Sequence, residues 1–171
     1  MTAPVLYRLA QPADLDFVVK SWISSFKGAH AAGILSISPL PAPCPSCGAP
    51  VPHDFAAVMT HTLRAVLARP GCSVWVAYNP RAVPPNDLHG YLVSETGPNI
   101  PTYRAPAYDL VVRRGTEPLI HYMFVKQAYR GFGIARALLE AAGIDPAKPL
   151  LYSCKTSDVS SLERAGKLPS A

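Results

Sequence analysis

Apolar residues at Leu15, Val18, Val19, Trp22, Ile23 and Phe26 recur at helical spacing through "ADLDFVVKSWISSF", which predicts an amphipathic helix. Pro12 precedes it, Asp14 and Asp16 favour its N-terminal dipole end, and Gly28 is expected to stop it. Ahead of it, Val5 to Ala10 reads as a short strand. A second apolar face, Phe55, Val58, Met59, Leu63, Val66 and Leu67, predicts another helix, capped by Asp54 and ended by "RPG". The pattern then changes. "CSVWVAY" (Cys72 to Tyr78) and "LHGYLVSE" (Leu88 to Glu95) read as two strands of a hairpin, and "LIHYMFV" (Leu119 to Val125) as a central strand buried on both sides. A helix to about Ala142, a strand at "LLYSC" and a short closing helix in "SDVSSLERAG" complete the order, with "YDLVV" a further candidate strand. Strands and helices mixed in this order predict an α/β (α+β) sheet with helices on both faces.

Two segments break the pattern. Six prolines between Pro39 and Pro52 exclude helix or central strand there, and a second proline-rich excursion runs from Pro98 to Pro106. Both read as surface insertions, near 36–53 and 96–107, in a single domain over 1–171, since 171 residues suit one core better than two. An apolar content of 49% against 16% charged residues belongs to a folded globule. No apolar run reaches membrane-span length, and the N-terminal stretch lacks the features of a signal peptide, so a cytoplasmic location is expected. The net charge of +5 is scattered, which suits an anionic ligand and lacks the dense basic stripe of a nucleic-acid binder.

The most informative stretch is "YRGFGIARALL", Tyr129 to Leu139. Two glycines and two arginines stand where a strand hands over to a helix. The first amides of a helix have no internal acceptor, and with the macrodipole they form an anion site wherever side chains leave room. Gly131 and Gly133 leave that room, and Arg130 and Arg136 add charge suited to phosphate. A nucleotide-triphosphate loop is excluded by the lack of Gly-Lys-Ser/Thr, and a dinucleotide fingerprint by Arg136 at the third glycine's place. A tight strand-to-helix turn with no ligand is the plain alternative.

"MFVKQAYRGFGIARALL" resembles the acyl-CoA signature of the GNAT superfamily of N-acyltransferases, in which Arg or Gln is followed after two residues by Gly, one residue, then Gly or Ala. Arg130, Gly133 and Ala135 fill those places, and Val125 matches the family's strand-end valine. The resemblance extends from Val5 to about Gly166, the two insertions apart. It implies a mixed, mostly antiparallel sheet flanked by helices and an N-acetyltransferase that passes an acetyl group from acetyl-CoA, as cosubstrate, to the amine of a small molecule or protein. It implies that Met123, Phe124 and Val125 line the pantetheine. Gly131, Phe132, Gly133, Ile134, Ala135 and Arg136 would hold the pyrophosphate, with Arg130 anchoring the loop.

Acyl transfer to an amine also calls for a base and an acid. His121, read by strand alternation as sharing a face with Met123 and Val125, is the candidate base. Where the family often has a tyrosine acid, "SSLERAGKL" offers Leu162, with Tyr152, Ser161 and Cys154 as substitutes. That departure, and a chain that stops at Ala171 short of the family's usual final strand pair, make a CoA- or protein-binding module of low or no activity the alternative function. "CPSCG" has the form of half a zinc knuckle: Cys44 and Cys47 are candidate ligands for a structural zinc, with His30, His53, His61 or Cys72 available to complete it.

Overall fold

The computed structural model describes residues 4–31, 55–83, 87–97, 118–148 and 151–153. They divide into two compact units, one from Ala10–Arg69 and one from Met1–Leu9 with Pro70–Ala171.

The first unit is helical. Pro12–Asp14 forms a 3-10 turn with Pro at its first position, and the Gln11 amide donates to Asp14 Oδ2 at 2.7 Å. This turn leads into α1 (Leu15–Ala31), which buries Val18, Val19, Trp22 and Ile23 of the expected stripe and leaves Leu15 exposed. The helix continues past Gly28 to Ala31. A lone glycine costs a helix only about 1 kcal/mol relative to alanine, too little to stop it. α2 (Phe55–Leu67) buries Val58 and Leu63 and contacts α1. Its expected cap, Asp54, lies outside the described residues, as do "YDLVV", the closing helix, Leu162, and both Cys44 and Cys47.

The second unit is a five-stranded mixed sheet in the order β1 (Leu6–Leu9), β2 (Cys72–Tyr78), β3 (Leu88–Glu95), β4 (Leu119–Val125) and β5 (Leu151–Tyr152). The first three pairings are antiparallel and the last is parallel. The period-2 pattern places Trp75, Ala77, Leu92 and Ile120 on one face, where they pack with Ile134, Leu138 and Leu139 of α3 (Ile134–Ala141). Leu138 is fully buried, and removing a leucine side chain from water is worth about 1.5–3 kcal/mol. α3 ends where Gly143 takes φ +72° and Ile144 donates to Leu139 O at 2.9 Å, closing the last turn.

One irregularity interrupts the ladder between β3 and β4. Register runs from Gly90↔Val125 to Val93↔Tyr122, then shifts so that Ser94 meets Ile120. β4 therefore carries one extra residue, His121, as a β-bulge. A bulge reverses the alternation, and Ile120, Met123 and Val125 consequently all join the α3 face.

Candidate functional site

Site geometry rests on three local features of β4 and α3. The parallel ladder between β4 and β5 has two steps, Leu119↔Leu151 and Ile120↔Tyr152. Ser153 adds to it, donating its amide to Ile120 O at 2.9 Å and its hydroxyl to His121 O at 3.4 Å. Beyond that point no β4–β5 pair occurs among the described residues. On the other side of β4, the Lys126 amide donates to His89 O at 2.8 Å. Backbone groups alternate along a strand, so those of Tyr122 and Phe124 also face β3. The amides and carbonyls of Met123 and Val125 therefore face away from β3.

The second feature is the loop. Gln127–Tyr129 makes a 3-10 turn, Gly131 and Gly133 take φ of +85° and +78°, and α3 starts at Ile134. These left-handed conformations exclude most side chains, which answers the turn reading of the glycines: the turn is real and both are needed for it. The space is real too. Among the described residues a Cβ built on either glycine meets nothing within 4 Å and no side chain caps the helix, so none of them fills the space beside the amides at the start of α3.

The third feature is charge. Arg130 Nε donates to Val125 O at 3.1 Å, tying the loop back to the strand end. Arg136 Nε donates to Glu140 Oε1 at 3.1 Å, with both side chains exposed, and such a pair is worth a few tenths of a kcal/mol. Phe132 stands out into solvent at 78% exposure.

His89 supports the loop from below. Its ring stacks on Tyr129, with centroids 3.8 Å apart and planes within 5°, and its buried Nδ1 has no hydrogen-bond partner among the described residues. Burial, then the nearby Lys126 ammonium, holds the imidazole below its ordinary pKa, with Asp87 opposing. Burial likewise pushes the Lys126 ammonium down. The folded protein therefore binds fewer protons at His89 than the unfolded chain does. The resulting stability is complete above about pH 6.5 and is lost as pH falls toward the folded value. His89→Phe keeps a ring against Tyr129 and removes both the orphaned nitrogen and the titration. We expect its melting temperature to match or exceed wild type at pH 7.5 and to fall less between about pH 6.5 and 5, by calorimetry.

Met123, Phe124 and Val125 lie at the C-terminal end of β4, and Arg130 to Arg136 form the loop and first helical turn, so these residues are contiguous. His121 departs from expectation. The bulge turns it away from Met123 and Val125, and its Nε2 meets Glu95 Oε2 at 2.7 Å on the opposite face. Glu95 was missed by sequence reasoning. Its signal was an acidic residue ending a strand whose antiparallel partner carries the histidine. A concavity of about 360 Å³ in the helical unit includes Leu15, Val19 and Leu67 in its lining, together with Asp16, whose carboxyl Lys20 holds low by a 2.8 Å hydrogen bond. Among the described residues no three His, Cys, Asp or Glu side chains converge as metal ligands.

No protein-family model matches the sequence, and no curated protein matches it significantly. Solved structures do. A protein from Pyrococcus furiosus assigned to the acetyl transferases is 14% identical, with a TM-score of 0.57 over 98% of this chain and 95% of its own. The aminoglycoside N-acetyltransferase AAC(6')-Iy in complex with CoA is 11% identical, with a TM-score of 0.51 over 100% and 90%. A predicted acetyltransferase from Clostridium acetobutylicum with acetyl-CoA is 15% identical, with a TM-score of 0.51 over 98% and 92%. With its five-stranded mixed sheet and its glycine-opened helix, this chain carries the fold of the GNAT acetyltransferases.

Proposed function

We propose that this protein is an acyl-CoA-dependent N-acetyltransferase, using acetyl-CoA to acetylate the amine of a small molecule or protein. The observation that carries the proposal is that β4, whose Met123 and Val125 backbone groups face away from β3, leads directly into the glycine-flanked N-terminus of α3. From His121 to Val125 the strand spans about 13 Å, comparable with an extended pantetheine arm. The pyrophosphate sits on the amides from Gly131 to Arg136, and the arm pairs with the outward backbone groups of Met123 and Val125, beside Phe124. Arg130, through Val125 O, keeps loop and strand in register. The thioester then lies beside the bulge at His121.

There the amine nitrogen attacks the thioester carbonyl carbon. As the C–N bond forms and the C–S bond breaks, the sulfur takes the electron pair and the amine proton passes to His121, which returns it to the thiolate directly or through water. The atoms balance as amide plus CoA thiol. Leu162, at the place of the family's tyrosine acid, favours a second assignment, a CoA-binding module without turnover. Thiol release from acetyl-CoA with spermidine, aminoglycosides and lysine peptides separates the two: amine-dependent release supports transfer, and binding without release supports the module.

A further inference from the structure

We infer that the side chain of Phe132 is the platform on which the adenine base of a CoA thioester stacks, so that this residue separates CoA from nucleotide-free carriers of the same arm. The inference deepens the acetyl-CoA reading and rests on it. Phe132 is 78% exposed. Of the aromatic side chains whose accessibility the structure describes, it alone is exposed: Trp22 and Tyr91 are buried, and Tyr129 is half-buried against His89. Singly exposed apolar residues are ordinary on a protein surface, so position decides. Phe132 stands between Gly131 and Gly133, at φ +85° and +78°. Two left-handed residues set the course of the chain on either side of it, and its ring is therefore presented by backbone geometry, with only its two side-chain torsions left to order.

The ligand supplies the complement. A diphosphate on the amides from Gly131 to Arg136 carries two substituents. The pantetheine arm takes the direction of β4, along the backbone groups of Met123 and Val125, so the ribose and base leave the loop on the side away from the strand, toward solvent. Phe132 is the aromatic face on that loop. A nucleobase stacks through its own π face and asks for no hydrogen bond to its edge, which suits a ring standing alone in water. The arginines on either side are engaged otherwise: Arg130 Nε donates to Val125 O, and Arg136 Nε to Glu140 Oε1. The Phe132 amide thus belongs to the diphosphate cradle, and its ring to the nucleoside.

Calorimetric titration with two thioesters tests this: acetyl-CoA, and acetyl-phosphopantetheine, which keeps the thioester and the arm and lacks the nucleotide. Phe132→Ala and Phe132→Leu should each weaken acetyl-CoA roughly 5- to 100-fold, the range for one base on one aromatic ring, and change acetyl-phosphopantetheine less than about twofold. Phe132→Tyr keeps the ring and should stay within about threefold of wild type for both. In Phe132→Trp the indole stacks in the same way, and its fluorescence should be quenched by acetyl-CoA and not by the truncated thioester. All four substitutions lie at an exposed position, so melting temperatures without ligand should stay near wild type. Wild-type acetyl-CoA affinity in Phe132→Ala or Phe132→Leu, or an equal loss for both thioesters, overturns the inference while leaving acetyl-CoA binding standing. Absence of acetyl-CoA binding by the wild type overturns both.

Discussion

Gly133→Asp should abolish the protection that acetyl-CoA gives this protein against heat. Gly133 sits at φ +78° as the residue before α3, with open space where a side chain would go. Placing a non-glycine residue there costs roughly 1–2 kcal/mol of backbone energy, which alone lowers stability without removing a ligand. The larger effect is electrostatic. A carboxylate about 4 Å from a diphosphate charge, at the effective dielectric of a protein surface near 20, is repelled by about 4 kcal/mol, roughly a 10³-fold loss of affinity. Gly143 supplies the control. It too is left-handed, at φ +72°, and open, but it lies at the far end of the same helix. Gly143→Asp should lower the melting temperature of the free protein and keep the acetyl-CoA shift, as read by thermal denaturation with and without millimolar ligand.

The second large effect is on chemistry. His121→Gln should reduce amine-dependent thiol release by roughly 10² to 10⁴ while acetyl-CoA binding stays close to wild type, because a general base contributes about that much to rate. Glutamine is the informative replacement. Its amide can still donate to Glu95 Oε2 from the bulge, whereas His121→Ala would leave a carboxylate at 2% exposure without this partner and add a penalty of about 3–5 kcal/mol. Comparing the two variants by stopped-time thiol assay and by thermal denaturation separates loss of a base from loss of a fold.

Much of the sheet was readable from period-2 patterning. "CSVWVAY" and "LHGYLVSE" are β2 and β3 to the residue, and "LIHYMFV" is β4. The helix after the glycines begins one residue beyond Gly133 because a left-handed N-cap followed by Ile134, Leu138 and Leu139 leaves few other solutions. The left-handed turn at Gly131 and Gly133 was legible for the same reason: glycine spacing reports backbone conformation directly. The face of His121 was not legible. Alternation predicts faces only while register holds, and a bulge is a tertiary compromise between two strands with no sequence marker in "LIHYMFV". The partnership with Glu95 depends on that bulge across 26 residues of sequence, so neither residue alone announces it. Gly28 misled in the opposite way, because tertiary burial of Trp22 and Ile23 outweighs a single unfavourable propensity.

Direct calorimetric titration of the purified chain with acetyl-CoA tests the central claim most squarely, that the backbone of Met123 and Val125 and that at the start of α3 together hold a CoA thioester. The account predicts saturable binding at a single site, lost in Gly133→Asp and retained in Gly143→Asp. No heat of binding at millimolar acetyl-CoA, or equal binding by both glycine variants, would contradict it.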